Sequence, residues 1–134
     1  MRPPASLAAA VAALALGCAG PGTARYAPLP EGLGEDAART VLRRFAAATE
    51  AGRWDEAHAL LSARWRAAYT PGRLAMDYAG GGPAASEAVR AVAAAAGAGA
   101  RVEQEGGRAL MQVGPEHAAV LLAEGGGWRV DALE

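Results

Sequence analysis

The candidates for moving a proton in this chain are Asp77, Asp131, Tyr69, Tyr78 and His58. A carboxylate facing a phenol is a minimal set for proton abstraction beside a carbonyl. The acid serves as base and the phenol donates a hydrogen bond to the developing oxyanion. Asp77 stands next to Tyr78 near the end of a helical segment, where an acid can point inward or serve as a surface cap. Asp131 follows Val130, so strand alternation predicts it on the solvent side, opposite Trp128 and Val130. His58 lies between Ala57 and Ala59 and reads as a packing residue of a helix. His117 follows Gly114-Pro115-Glu116 and reads as exposed in a turn. Two His, one Cys and no H-E-x-x-H pattern assemble no metal site. Ser6, Ser62 and Ser86 lack a G-x-S-x-G context, and no glycine cluster matches a phosphate-binding loop. Neither metal nor cofactor is expected.

Binding chemistry is better represented. Trp54, Trp65 and Trp128 each fall on an apolar phase with aliphatic neighbours, which predicts core first and pocket lining second. With Tyr78, Gln104 and Met111 they make the candidate pocket set; Gln104 is the one polar side chain on the face expected to turn inward. All 13 basic residues are Arg, against 14 acids, for a net charge of −1. The two signs are interspersed, so the chain has no basic field to hold nucleic acid.

The remaining reactive residue is Cys18. Arg2 precedes an uncharged apolar run, residues 7–16, which ends at Gly17 beside the Cys. That is the pattern of an export signal, and the run is about half of the ~20 apolar residues that a membrane-spanning helix needs. Ala15-Leu16-Gly17-Cys18 resembles the bacterial lipobox, with Ala15 where that motif favours Leu. The resemblance implies a signal peptide over 1–17, lipid on Cys18 and, with Ala19 following, an outer-membrane address facing the periplasm. Each buried methylene contributes about 0.8 kcal/mol, and stable anchoring takes more than one acyl chain. The alternative is a secretory signal cut after Ala15, which leaves a secreted protein with a spare thiol. No intramolecular disulfide can form with a single Cys.

Residues 18–34 alternate Gly and Pro after the Cys and read as a tether. From 35 to 51, Ala38, Val41, Leu42, Phe45 and Ala48 recur at helical spacing, which predicts an amphipathic helix. A second helical period runs from Trp54 through Ala57, Leu60, Leu61 and Trp65 to Ala68. Thr70-Pro71 caps a third segment carrying Leu74, Met76 and Tyr78, which Gly80-Gly81-Gly82-Pro83 closes. An Ala-rich fourth helix over 84–96 has Val89 and Val92 in phase. After Gly99 the period becomes two. Gly106-Gly107 closes one hairpin, pairing Glu105 with Arg108 and placing Val102, Gln104, Ala109, Met111 and Val113 on one face. Gly125-Gly126-Gly127 closes another, with Val120, Leu122, Trp128, Val130 and Ala132 expected on one face. The expected fold is α+β, one domain over 35–134, with N-terminal helices packed on a four-stranded antiparallel meander.

Ala51-Gly52-Arg53-Trp54-Asp55-Glu56-Ala57-His58-Ala59-Leu60-Leu61-Ser62 is similar to the helix junction of cone-shaped domains related to ketosteroid isomerase and nuclear transport factor. Gly127-Trp128-Arg129-Val130-Asp131 is similar to that group's last strand. The resemblance implies a curved, cone-like sheet around the helices, with a pocket at its open end. It does not imply catalysis, because the group holds enzymes and binding modules alike. The expectation is therefore a lipid-anchored envelope domain that binds a small apolar ligand or an envelope protein. An isomerase- or cyclase-like enzyme on the same scaffold is the alternative.

Overall fold

The structure, a computed structural model, describes residues 26–134; the expected signal peptide over 1–17 and the expected lipidation at Cys18 lie outside the described residues. The apolar stripe over 35–51 has to leave water, and it does so as α1 (Glu35–Glu50). Ala38, Val41, Leu42 and Ala48 on that stripe are fully buried, and Phe45 nearly so. Glu35 and Asp36 lie in the first turn, where negative charge complements the helix dipole.

Four strands follow the helices: β1 (Val102–Glu105), β2 (Arg108–Val113), β3 (His117–Glu124) and β4 (Gly127–Leu133). They form an open antiparallel sheet in the order β1-β2-β3-β4, the expected meander. Glu105 pairs with Arg108, and Val102, Ala109, Met111 and Val113 are buried as expected. β3 departs from expectation. Leu121, not Leu122, opposes Val130, and Ala123 opposes Trp128, so the core face of β3 carries Ala119, Leu121 and Ala123. Ala119, Val120 and Leu121 are all buried, so the strand offers no polar alternation to fix its parity. The register then shifts between Val120 and Leu121. Val120 opposes Ala132 and Ala119 opposes Leu133, which leaves Asp131 as an extra residue in β4. Ala132 thereby leaves the face of Trp128 and Val130, and Leu133 takes its place.

The free edge of β4 governs the helical region before it. A continuous period over 54–68 predicts one helix, but the chain forms α2 (Trp54–Ala59) and α3 (Ala63–Ala68) with a break between them. At the break, the Val130 amide donates to the Leu60 carbonyl and the Ser62 amide donates to the Val130 carbonyl, both at 2.8 Å. Leu61 thus bridges Val130 in parallel. Two sheet-like bonds satisfy an edge that helix propensity alone would have left open.

The last helix, α4 (Pro71–Gly97), begins as its sequence predicts. The Arg73 amide donates to Thr70 Oγ1 at 3.1 Å, and Pro71 occupies the first turn. The two expected helical segments are its two halves, separated by a kink at Gly82, whose φ of +56° and ψ of −141° are backbone angles that only glycine adopts readily. Val89, Val92 and Ala96 of the second half are buried.

The end of the expected tether is not free. The Gly32 amide donates to the Gly126 carbonyl at 2.9 Å. The Arg44 guanidinium donates to the carbonyls of Pro28 at 2.5 Å and Ala27 at 3.0 Å. Leu29 packs on the core. Residues 26–34 thus form a strap along the domain, because their backbone carbonyls find arginine donors and the start of β4. The strap crosses Gly127 so closely that a Cβ there would stand 2.5 Å from the Pro30 carbonyl oxygen. Gly127→Ala is therefore expected to lower the unfolding free energy by about 1–3 kcal/mol and to expose residues 26–33 to limited proteolysis. Unchanged stability and cleavage would show that the strap is not seated there.

A candidate ligand groove along the last helix

Leu133, brought to the helix side of the sheet by the register shift and still 41% exposed, lies near residues of α1 and α4. Three adjoining recesses meet at it. The largest, about 510 Å³, lies between the second half of α4 and the ends of β2, β3 and β4. Ala84, Ala88 and Ala91 form one wall, with Val113 opposite and Glu87, His117 and Glu134 at the rim. The second, about 210 Å³, is lined by Phe45, Thr49, Trp54, Tyr78, Ala88 and Val89 among others. The third, about 220 Å³, reaches Leu61, Trp65, Tyr69 and Val130. Phe45, Leu74 and Asp77 border both smaller recesses. Sites for drug-sized ligands occupy roughly 300–1,000 Å³ and are mostly apolar with a few placed polar groups, which describes this groove.

Aromatic packing shapes its middle. The Trp54 and Tyr78 rings lie 5.5 Å apart at 55°, and the Tyr78 hydroxyl shares a hydrogen bond with Ser86 Oγ at 3.2 Å. Trp65 meets Tyr69 edge-on at 5.4 Å. Thr49, 4% exposed, carries the one buried side-chain polar atom among the described residues without a hydrogen-bond partner, Oγ1. Asp77 accepts from Arg73 Nε at 2.9 Å. Hydrogen bonding of the neighbouring Tyr69 phenol to the Asp77 carboxylate, reinforced by that negative charge, holds the phenol above its ordinary range. The phenol and the Arg73 guanidinium are thus both directed at the Asp77 carboxylate.

Next to the groove is a polar clamp that strand alternation did not anticipate. Asp131, expected in solvent, is 8% exposed, because the bulge turns it under the break between α2 and α3. Ser62 Oγ donates to Asp131 Oδ1 at 2.7 Å. Arg64 donates to both carboxylate oxygens at 2.6 Å, a bidentate fork. Trp65 Nε1 donates to the Asp131 carbonyl. The Arg64 guanidinium holds the Asp131 carboxyl below its ordinary range, against its burial, and the Ser62 hydroxyl assists. With Ser62 Oγ committed to Asp131, the start of α3 is met by Glu124, both of whose oxygens accept from the Ala63 amide at 2.9 Å.

Of the residues singled out in the sequence, Trp54, Trp65 and Tyr78 border the groove together with Asp77 and Tyr69. Trp128 and Met111 do not border it. Both are buried in the core, and Trp128 Nε1 donates to the Gly34 carbonyl at 3.2 Å. Gln104, expected to face inward, is exposed near the end of β1. His58 Nε2 donates to the Tyr69 carbonyl at 2.8 Å, a packing role that fixes the turn before α4. Sequence reasoning missed Thr49, Ala88 and Leu133 as groove residues. The first two look like ordinary helix positions, and the third depends on a bulge. Among the described residues, no group of three His, Cys, Asp or Glu could hold a metal ion. No protein-family model, curated protein or solved structure matches the chain.

The clamp sets an acid dependence. Since the folded-state value of Asp131 lies below the unfolded value of about 3.9, its stabilisation is present above the unfolded value and is lost as pH falls through the folded one. Asp131→Asn should cost about 1–3 kcal/mol at neutral pH, with the gap to the natural protein closing as both are acidified below pH about 4. Denaturant unfolding at several pH values measures this; a constant gap would contradict it.

Proposed function

We propose that the chain is a lipid-anchored cell-envelope protein whose domain binds a small apolar ligand in the groove along α4, without performing chemistry on it. The observation that carries the binding reading is the groove itself, a set of adjoining apolar recesses with polar groups at the rim of the largest. The anchor rests on the resemblance of Ala15-Leu16-Gly17-Cys18 to a lipobox. An outer-membrane location facing the periplasm follows from Ala19 after the Cys. Among the described residues no helix is long and apolar enough to cross a membrane. Helices followed by an open antiparallel sheet suit a cone-like scaffold of the ketosteroid isomerase and nuclear transport factor group, whose pocket lies between sheet and helices.

The isomerase-like alternative draws on one arrangement, Asp77 beside Tyr69 at the groove mouth. In that reading Asp77 would be the base, yet Arg73 is ion-paired with it. Binding without turnover needs no such release of the carboxylate.

The anchor is tested by intact mass and membrane fractionation of the full-length protein in a bacterial host beside Cys18→Ala. The natural chain is expected in the membrane with an acyl mass increment that the variant lacks. If both are soluble with a terminus near Leu16, the protein is secreted. Binding is tested with the fluorescent apolar probe N-phenyl-1-naphthylamine. Saturable enhancement is expected, and Ala88→Trp, which fills the wall shared by two recesses, should weaken it about tenfold or more. Equal binding by both proteins would place the probe elsewhere.

A further inference from the structure

The two halves of α4 are held to the domain in different ways. The buried residues of the helix, Val89, Val92 and Ala96, all lie beyond the kink at Gly82. The first half, Pro71 to Gly81, is about 16 Å of helix with no buried residue. Its Leu74 and Asp77 border the two smaller recesses, of about 220 and 210 Å³, and Tyr78 borders the second of these. Phe45, Thr49, Leu61 and Val130 line the same spaces from the body of the domain. This half of the helix therefore lies over open apolar space where the other half lies on filled core. A segment that buries so little apolar surface detaches at a low free energy.

Both ends of the segment are joints. Before it the chain runs extended through Tyr69 and Thr70, where His58 Nε2 donates to the Tyr69 carbonyl at 2.8 Å. After it comes Gly82, whose backbone angles free the chain to change direction. The kink is closed tightly, because a Cβ on Gly81 would stand 2.7 Å from the Ala85 Cβ. Only the missing side chain lets the two halves fold together there. The Tyr78 hydroxyl and Ser86 Oγ span the kink at 3.2 Å, long for a bond between hydroxyls and therefore readily broken. Glycine joints and a weak latch over a ligand space are the parts of a lid. We propose that Pro71 to Gly81 is a lid on the groove, turning at Thr70 and Gly82 and latched by Tyr78 and Ser86, and that ligand enters when the latch parts. This rests on the groove being a ligand site.

The test measures distances between paired spin labels on the full chain carrying Cys18→Ala, so that the introduced cysteines are the only ones. Met76→Cys marks the lid and Arg90→Cys the second half of α4, each paired with Glu50→Cys at the end of α1; all three positions are exposed. The Met76–Glu50 pair is expected to show two separations and the Arg90–Glu50 pair one. Saturating N-phenyl-1-naphthylamine should collapse the first pair to a single separation and leave the second as it was. Ser86→Ala removes the latch without touching the lining of the recesses, and should raise the ratio of open to closed lid about fivefold. Gly81→Ala, whose methyl meets Ala85, should raise it as well. One separation for the Met76–Glu50 pair, as narrow as that of the Arg90–Glu50 pair in the natural background and in both variants, would overturn the lid. So would an open-to-closed ratio that neither variant moves. If the probe still binds in either case, the groove reading stands without the lid. If the probe does not bind at all, the groove reading fails and the lid fails with it.

Discussion

The structure depends on what happens along the free edge of β4. A sheet edge with unpaired amides and carbonyls is open to another strand, and a meander that ends on a long strand has such an edge by construction. Here Leu60 and Ser62 pair with Val130, and Gly32 pairs near Gly127, so two short stretches from distant parts of the chain close the edge. The break between α2 and α3 is the cost of that closure. The Asp131 bulge is its complement, because the extra residue places a carboxylate where Ser62, Arg64 and Trp65 converge.

From this constraint the groove follows. Past the bulge the strand has changed parity, and Leu133 turns toward α1 and α4 where Ala132 would otherwise have pointed. The long α4 cannot cover the whole sheet with alanines; its small side chains leave space above Val113 and Leu133. The buried charges elsewhere are met locally. Glu56, whose burial alone would raise its pKa, is held below its ordinary range by hydrogen bonds from Arg53 and Arg44. Arg129, buried beside Arg66 and Arg44, is held below its usual value by that burial and crowding, and it donates to the carbonyls of Trp128 and Pro30. The strap and β4 are thus tied by arginines that serve the fold.

Much of this was legible in the sequence wherever one periodic contrast dominated. α1 has a clean apolar stripe, Thr70-Pro71 is an unambiguous helix start, and Glu105 facing Arg108 fixes the first hairpin. Legibility failed where two structures satisfy the same pattern. Leu60 and Leu61 suit a helix core as well as a sheet-edge bridge, and only the distant β4 decides between them. The run Ala119-Val120-Leu121-Leu122 is apolar on both sides, so its parity comes from the bulge. Asp131 looked solvent-facing because alternation assumes an unbroken ladder. Ser62, a natural helix-start residue directly before Ala63, was the one local sign that the second helical period breaks. For the groove, the aromatic side chains Trp54, Trp65 and Tyr78 were readable, whereas Thr49 was hidden because an unsatisfied hydroxyl is a property of packing.

The most direct measurement of the central constraint is residue-resolved amide hydrogen exchange at Val130 and Ser62, whose protons lie between β4 and the helix break. If the edge is closed as described, both exchange as slowly as core amides of β3 such as Leu121, since opening either one requires detaching the segment from the sheet. If both exchange as fast as the turn amides at Gly106 and Gly125, the edge of β4 is open. The bulge would then lack its clamp, and the account of how the groove is built would be wrong.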